Sequence, residues 1–123
     1  MTKPDFFIVG APRCGTTALY EYLRQHPQIF MPEHKEPQYF GDDLTHLHER
    51  LSRRDYLGLF RAAKPGQRVG EASTWYLYSQ SAAREIGEFS PGAQIIIMLR
   101  NPVDVMYSLH RELTFYGGET ILD

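Results

Sequence analysis

Short apolar runs along the chain alternate with amphipathic segments. Residues Phe6–Gly10 are apolar throughout and end in glycine, which is typical of a buried parallel strand. Ala18–Gln25 has the apolar spacing of a helix, with Thr16 or Thr17 as its cap and Pro27 beyond its end. The chain therefore begins with a strand, a turn and a helix.

The middle of the chain contains more turn-forming residues. Prolines and a glycine predict that residues 31–43 are mostly loop, with a short extended piece at Gln38–Phe40. Residues 44–60 predict one or two short helices. Arg68–Ala72 then predicts a second strand, and Ser79–Phe89 predicts a helix.

The strongest strand signal is the isoleucine-rich run Gln94–Leu99. Asn101 and Pro102 follow it and predict the start of a helix, because Asn is a good N-cap and Pro suits the first helical position. The alternating order predicts the α/β class, a P-loop-like parallel sheet flanked by helices with right-handed crossovers. Three strands are few for such a sheet. We therefore expect residues 1–123 to be the N-terminal portion of one domain that further C-terminal elements complete.

Composition and charge narrow the classes of protein and of partner. A chain of 123 residues with 42% hydrophobic and 13% aromatic residues suits one globular domain. The net charge of −2 argues against nucleic acid or a membrane surface as partner, since both need a basic face. One cysteine, Cys14, excludes a disulfide within the chain. With no signal-peptide pattern, these features predict a cytoplasmic protein.

The turn between the first strand and the first helix has the layout of a phosphate-binding loop. Backbone N–H groups and the helix dipole favour an anion there, and Gly15 lets the backbone approach it. Thr16 and Thr17 add hydroxyl donors, and Arg13 adds a forked cation. The Walker A spacing is present from Gly10, but Thr16 replaces its lysine, so a magnesium-nucleotide triphosphatase fits poorly. An ordinary strand–turn–helix connection is the alternative.

The segment Gly10–Leu19 resembles the 5'-phosphosulfate loop of the sulfotransferase family. Tyr20–Pro27 resembles the form found in heparan-sulfate-type and bacterial carbohydrate sulfotransferases. The resemblance implies an enzyme that uses 3'-phosphoadenosine-5'-phosphosulfate (PAPS), and a loop that grips the donor's 5'-phosphate through Arg13, Cys14, Gly15, Thr16 and Thr17. The family usually has lysine at Arg13. Arginine keeps the charge, so Arg13 is expected to stabilise the leaving phosphate by electrostatics alone.

A second donor motif lies at the strongest strand. Ligands of open α/β sheets bind at the carboxyl ends of strands, which is where Arg100 is placed. Ile95–Ser108 resembles the 3'-phosphate motif of the same family, and the resemblance implies that Arg100 and Ser108 contact that phosphate. The alternative is that Arg100 pairs with Asp104 and that Ser108 is a solvated helix residue.

The acceptor side is predicted from the loop that follows the first helix. Residues Lys35–Phe40 resemble the Lys-Glu-Pro-x-Phe-Phe stretch of heparan-type sulfotransferases. The resemblance implies that Glu36 is the general base and that Lys35 lies near the transferring sulfuryl group. A solvated Lys–Glu pair is the alternative, and His34 is a weaker candidate for the base.

The segment after the second strand resembles the family stretch Glu-Lys-Ser-Pro-x-Tyr. Ala72 stands in place of its lysine and Thr74 in place of its proline. Ser73 and Tyr76 remain candidates for the substrate side. Trp75 stacks on a sugar ring or on adenine, or belongs to the core.

The function that these motifs predict is sulfuryl transfer from PAPS to a hydroxyl or amine of a small-molecule or carbohydrate acceptor. Protein cations suffice for the electrostatic work, and His46 and His48 do not have metal-ligand spacing, so no metal is expected. A non-catalytic nucleotide-binding module and a P-loop kinase-like phosphotransferase are the other two hypotheses. The pattern does not indicate an oligomeric state.

Overall fold

The computed structural model describes residues 2–45, 47 and 49–115, so His46 and His48 lie outside the described residues. The strands are β1 (Phe6–Gly10), β2 (Ile29–Phe30), β3 (Arg68–Ala72) and β4 (Gln94–Ile97). The helices are α1 (Thr16–Arg24), α2 (Arg53–Gly58), α3 (Ala82–Phe89) and α4 (Pro102–Phe115).

The four strands form one parallel sheet in the order β2-β3-β1-β4. Phe6 in β1 is in register with Gly70 of β3 on one side and with Gln94 of β4 on the other. The carboxyl ends of the strands therefore meet at one edge of the sheet, with Gly10 at its middle. The predicted α/β class with a parallel sheet and flanking helices is confirmed.

Strand β1 is buried on both faces because its side chains alternate between two apolar clusters. Phe7 and Val9 enter the larger cluster, which also contains Tyr56 of α2, Phe60 shortly after that helix, and Ile86 and Phe89 of α3. Phe6 and Ile8 face the smaller cluster, which includes Tyr20 of α1. Burial of each large side chain contributes about 1.5–3 kcal/mol. The two layers fix β1, and hence the loop that follows it.

The structure differs from the sequence prediction around β2. Ile29–Phe30 pairs with β3, but two residues are too few to show a strand period. Its position is fixed from outside, since the Arg68 N–H donates to the Gln28 carbonyl at 2.8 Å. The predicted extended piece at Gln38–Phe40 is wrong, because Gln38 has a left-handed φ of 49° that no strand residue adopts.

Two helix starts also differ from prediction. Gly15, in the left-handed conformation, precedes α1, and no side-chain cap is present, so Thr16 and Thr17 are the first residues of the helix and not its cap. Helix α3 begins at Ala82, because Ser79 Oγ accepts hydrogen bonds from the Ser81 and Ala82 N–H groups and holds the preceding turn.

The predicted cap of α4 is confirmed, since Asn101 Oδ1 accepts a hydrogen bond from the Val103 N–H at 2.9 Å. Strand β4 is shorter than the predicted Gln94–Leu99 and ends at Ile97. No described residue of α4 is buried. Val103 and Met106 of α4 are exposed, and so are Ile95 and Ile97 of β4.

Candidate active site

The phosphate loop starts where β1 ends, at a point of close backbone contact. A Cβ atom on Gly10 would lie 2.8 Å from the Thr74 carbonyl oxygen and 2.9 Å from Leu77 Cβ, so only glycine fits. Gly15, with φ of 83°, then turns the loop into α1. The first N–H groups of a helix have no intrahelical acceptor, and those of Thr16 and Thr17 belong to this set.

A cavity of about 740 Å³ lies at the carboxyl ends of the strands, beside the start of α1. Residues from every predicted motif line it: Arg13, Gly15, Thr16, Thr17, Lys35, Glu36, Arg100 and Ser108. Three of these side chains are cations, and the lining also contains two carboxylates, Glu36 and Glu112. Folding therefore gathers the predicted donor and acceptor residues into one pocket suited to an anionic ligand.

Lys35 connects the acceptor loop to the phosphate loop. Its ammonium group donates a hydrogen bond to the Thr17 hydroxyl and lies 4.0 Å from Oε1 of Glu36. The Lys35 side chain is only 26% exposed. The alternative of a fully solvated Lys–Glu pair therefore does not describe this site.

The other oxygen of Glu36 is held by donors from two directions. Oε2 accepts from the Thr74 N–H at 2.9 Å, from Thr74 Oγ1 at 3.3 Å and from Gln38 Nε2 at 2.7 Å. Burial raises the pKa of Glu36, and the Thr74 N–H and Lys35 act in the opposite direction. A raised pKa brings a carboxylate nearer to the range useful for proton transfer.

Three non-glycine residues of the site have positive φ angles: Arg13 at 63°, Glu36 at 58° and Gln38 at 49°. Such conformations cost about 1–3 kcal/mol and occur mainly at functional sites. Packing elsewhere offsets this cost; for example, the Glu36 N–H donates to the Ala72 carbonyl at 3.1 Å. The backbone thus holds Glu36 and Arg13 in conformations that a relaxed loop would seldom adopt.

The two predicted phosphate motifs touch each other. Arg13 Nε donates to Ser108 Oγ at 2.8 Å, and its guanidinium group lies 3.7 Å from Glu112. Arg100 Nη1 donates to the Arg13 carbonyl at 3.2 Å. Within the described part of the chain, Arg100 makes no ion pair with Asp104, so that alternative is not what the structure has.

Cys14 lies in the loop with its side chain buried. Its Sγ donates to the Pro12 carbonyl, and the residue does not line the cavity. The side chain is thus directed away from a ligand. The predicted contact of Cys14 with the donor stays a prediction, and it would involve the backbone N–H of Cys14. Trp75 is half-buried and lines the cavity, with its ring packed edge-to-face against Tyr78.

A buried carboxylate behind the site was missed by sequence reasoning. Glu71 is fully buried and accepts from Tyr56 OH at 2.6 Å, Tyr76 OH at 2.9 Å and Ser73 Oγ at 2.5 Å. Burial raises the pKa of Glu71 to about 7, although the three hydroxyl groups oppose the shift. The available signal was an acidic residue inside a strand whose neighbours are apolar or small.

This cluster corrects the prediction for Ser73 and Tyr76. Both are buried and support the acceptor loop from behind: Ser73 Oγ accepts from the Gln38 N–H at 3.0 Å, and Tyr76 OH accepts from the Tyr39 N–H at 2.9 Å. They bond to Glu71 instead of facing the substrate. The Glu71 cluster, formed by Glu71, Tyr56, Tyr76 and Ser73, therefore carries the loop that presents Glu36.

Two searches were negative over the residues that the structure describes. No group of three or more His, Cys, Asp and Glu side chains there is arranged to hold a metal ion. None of the described helices is long and apolar enough to cross a membrane. The expectation that the reaction needs no metal stays a prediction.

Comparison with known proteins agrees with the geometry. The sequence model described as "Sulfotransferase domain" matches residues 3–113. The chain belongs to the sulfotransferase family. The family resemblance predicted from the motifs is thereby confirmed.

Several relatives of this family are similar to the chain. Human carbohydrate sulfotransferase 15 is 34% identical over 85% of this chain and 26% of its own length. Mouse heparan sulfate glucosamine 3-O-sulfotransferase 6 is 35% identical over 81% of this chain and 28% of its own. The chain thus spans about a quarter of these relatives.

A solved structure covers more of the fold. The crystal structure of a sulfotransferase from Alicyclobacillus acidocaldarius has a TM-score of 0.88 and 36% identity. It covers 99% of this chain and 54% of the other. Nearly every element described above therefore has a counterpart in a solved sulfotransferase.

Proposed function

We propose that the protein transfers a sulfuryl group from PAPS to a hydroxyl or amine, with Glu36 as general base. The observation that carries the proposal is the position of the Lys35 ammonium group between the phosphate-loop hydroxyl of Thr17 and Oε1 of Glu36. A cation in this place lies beside both the donor loop and the base. That is where charge develops when a sulfuryl group moves from one to the other.

The proposed reaction is an in-line displacement at sulfur. The acceptor O–H or N–H bond breaks and its proton passes to Glu36. The acceptor atom bonds to sulfur while the bond from sulfur to the 5'-phosphate oxygen breaks. The electron pair stays on that oxygen, so the products are the sulfated acceptor and adenosine 3',5'-bisphosphate. Arg13 and Lys35 stabilise the negative charge that collects on the leaving phosphate.

The donor is assigned by two anion sites that meet. The loop Gly10–Thr17 offers helix N–H groups to the 5'-phosphate. Arg100 and Ser108 both contact Arg13 and suit a 3'-phosphate, which ATP does not have. We therefore assign a 3'-phosphorylated nucleotide to the cavity and not a triphosphate.

The acceptor is proposed to be a carbohydrate. Human carbohydrate sulfotransferase 15 and mouse heparan sulfate glucosamine 3-O-sulfotransferase 6 are both named for carbohydrate acceptors. Trp75 lines the cavity, and an indole ring is suited to contact a sugar. A cytoplasmic location stays part of the proposal, and cell fractionation tests it.

Turnover of labelled PAPS with and without oligosaccharide acceptors tests the reaction. Glu36→Gln is expected to lower kcat at least about 100-fold, because the amide cannot take a proton, and to leave the Kd of adenosine 3',5'-bisphosphate within about threefold. Glu33→Gln is the matched control, since Glu33 is exposed on the same loop. Full turnover of Glu36→Gln would reject Glu36 as base. Tighter, magnesium-dependent binding of ATP would favour the phosphotransferase instead.

Lys35 is tested separately from Glu36. Lys35→Met removes the cation that contacts Thr17 and is expected to reduce kcat by about 100-fold or more, while Lys35→Arg retains part of it. Loss of Lys35 also raises the pKa of Glu36, so the acid limb of the rate profile should move to higher pH. An unchanged kcat in Lys35→Met would remove Lys35 from the mechanism.

A further inference from the structure

The two oxygens of Glu36 have very different surroundings. Oε2 receives all the hydrogen bonds that the carboxylate accepts from the described residues, two from Thr74 and one from Gln38. Oε1 faces Lys35 at 4.0 Å and accepts no hydrogen bond from that part of the chain. A carboxylate held in this way has one anchored oxygen and one oxygen that remains open to a proton.

Thr74 supplies a donor that the family stretch lacks. The position corresponds to proline in the stretch that residues 71–76 resemble, and proline has no backbone N–H. In this chain the Thr74 N–H makes the 2.9 Å bond to Oε2, and the threonine hydroxyl adds a second donor. Thr74 is itself buried and its carbonyl lies against Gly10, so the donor is fixed in place by the start of the phosphate loop.

The side-chain amide of Gln38 is also oriented to donate to Oε2 of Glu36, and this orientation is unfavourable for the amide oxygen. Its Nε2 donates to Glu36 at 2.7 Å, while its Oε1 is buried and has no partner among the described residues. An unpaired buried carbonyl is unfavourable. The opposite orientation of the amide would place an oxygen against the carboxylate, which is worse. The backbone N–H of Gln38 is anchored in turn to Ser73 Oγ.

We propose that Thr74 and Gln38 are positioning residues that anchor Oε2 of Glu36, and that Oε1 is therefore the atom that accepts the proton of the sulfate acceptor. The inference rests on the proposed function, because it assumes that Glu36 is the base. Neither residue touches the reacting atoms. They act by fixing the plane of the carboxylate so that Oε1 and the Lys35 ammonium group face the same space.

The test is a pH titration of Glu36 in the whole protein, in which carboxyl ¹³C NMR monitors the protonation of the side chain. The charged groups that act on Glu36 are Lys35 beside it and Glu71 behind it, and both are retained in every variant. Thr74→Ser keeps both donors, Thr74→Val keeps only the N–H, and Thr74→Pro keeps neither. Because donors to a carboxylate stabilise its ionised form, the midpoint of Glu36 is expected to rise in that order, by about one pH unit in Thr74→Pro.

Gln38→Met is the second, independent variant, because it keeps the backbone N–H that bonds to Ser73 and removes only the side-chain donor. It is expected to raise the Glu36 midpoint by about half a unit or more. In turnover assays the acid limb of kcat should move by the same amount as the NMR midpoint in each variant, with KM for PAPS within about twofold. A purely structural role of these residues would not shift the midpoint.

The outcomes separate this inference from the proposed function. If Glu36→Gln abolishes turnover but Thr74→Pro and Gln38→Met leave the midpoint within about 0.2 units of the wild type, Glu36 is the base and the anchoring role is wrong. If the midpoint shifts but Glu36→Gln keeps full turnover, the anchoring is real and the assignment of Oε1 as proton acceptor is overturned. Shifts in both the midpoint and the acid limb support the inference.

Discussion

Arg13 and Ser108, 95 positions apart, are joined by a hydrogen bond of 2.8 Å from the guanidinium Nε to the serine hydroxyl. The bond links the phosphate loop to α4, and hence the predicted 5'-phosphate motif to the predicted 3'-phosphate motif. Arginine can make this contact and still direct its Nη groups elsewhere, because its fork carries several donors. Arg13 thus joins the two motifs of the proposed donor site.

The Arg13–Ser108 bond predicts that Arg13→Lys is not a neutral change. Lysine keeps the charge but cannot reach Ser108 and the loop at once. We expect the Kd of adenosine 3',5'-bisphosphate to rise a few-fold in Arg13→Lys. In Arg13→Ala the rise should be about 10- to 100-fold, because a charge-assisted hydrogen bond is lost. Calorimetry measures this, with Arg24→Ala, at the far end of α1, as control. Equal affinity in all three variants would contradict it.

Arg100 is expected to recognise the 3'-phosphate selectively. In Arg100→Gln, affinity for adenosine 3',5'-bisphosphate should fall about tenfold or more, while affinity for adenosine 5'-monophosphate should change little. The ratio of the two Kd values is the readout. Arg111→Gln removes the same charge from a helix position outside the described cavity and should leave the ratio intact. A parallel loss for both nucleotides would mean that Arg100 acts by general charge and not on the 3'-phosphate.

The raised pKa of Glu71 predicts that folding stability decreases between about pH 5 and pH 7.5. In this range the folded state keeps a proton on Glu71, whose pKa is about 7, while the unfolded chain has lost it. Stability is therefore highest below the unfolded pKa and is lost as the pH rises through 7, by up to about 3 kcal/mol. Glu36 adds to the trend in the same direction.

Urea unfolding at several pH values measures the slope of the unfolding free energy against pH. Glu71→Gln should flatten it, whereas Tyr56→Phe, which removes a hydroxyl that lowers the pKa of Glu71, should steepen it. Glu33→Gln should leave the slope of the wild type unchanged, because Glu33 is exposed. Identical slopes in wild type and Glu71→Gln would show that Glu71 titrates normally.

Alanine is expected to have opposite effects on stability at two glycines, because Gly10 is in close contact with its neighbours and Gly87 is not. Gly10→Ala places a methyl group 2.8 Å from the Thr74 carbonyl oxygen and should destabilise the protein by at least about 1–3 kcal/mol. Gly87→Ala lies within α3 with nothing within 4 Å of the new methyl group and should stabilise by about 0.5–1 kcal/mol. Thermal unfolding compares the two, and a neutral Gly10→Ala would contradict the packing described here.

The parts of the fold that were predicted are those with strong local signals. Phe6–Gly10 and Arg68–Ala72 have the predicted bounds, because an apolar run that ends at a turn leaves little choice. Ile29–Phe30 was missed because it is held by its partner strand and not by its own pattern. Local sequence cannot show a strand whose order comes from a neighbour.

In the site, the motifs predicted which residues meet, but not how they are supported. The sequence gives no sign that Glu36 and Gln38 have left-handed backbones, since neither is glycine. Nor does it place Glu71 in the interior, since glutamate is seldom buried without partners, and one of its three partners, Tyr56, comes from a helix 15 residues away. Long-range support of this kind becomes visible only when the chain is folded.

The exposed isoleucines of β4 have a practical consequence for work with this chain. Strand β4 lies at the end of the described sheet, pairs only with β1, and exposes Ile95 and Ile97 to about half of their area. An outer strand with exposed isoleucines is a template on which other chains add. Concentrated solutions should therefore self-associate, and a glutamate at Ile97 should delay the onset seen by light scattering.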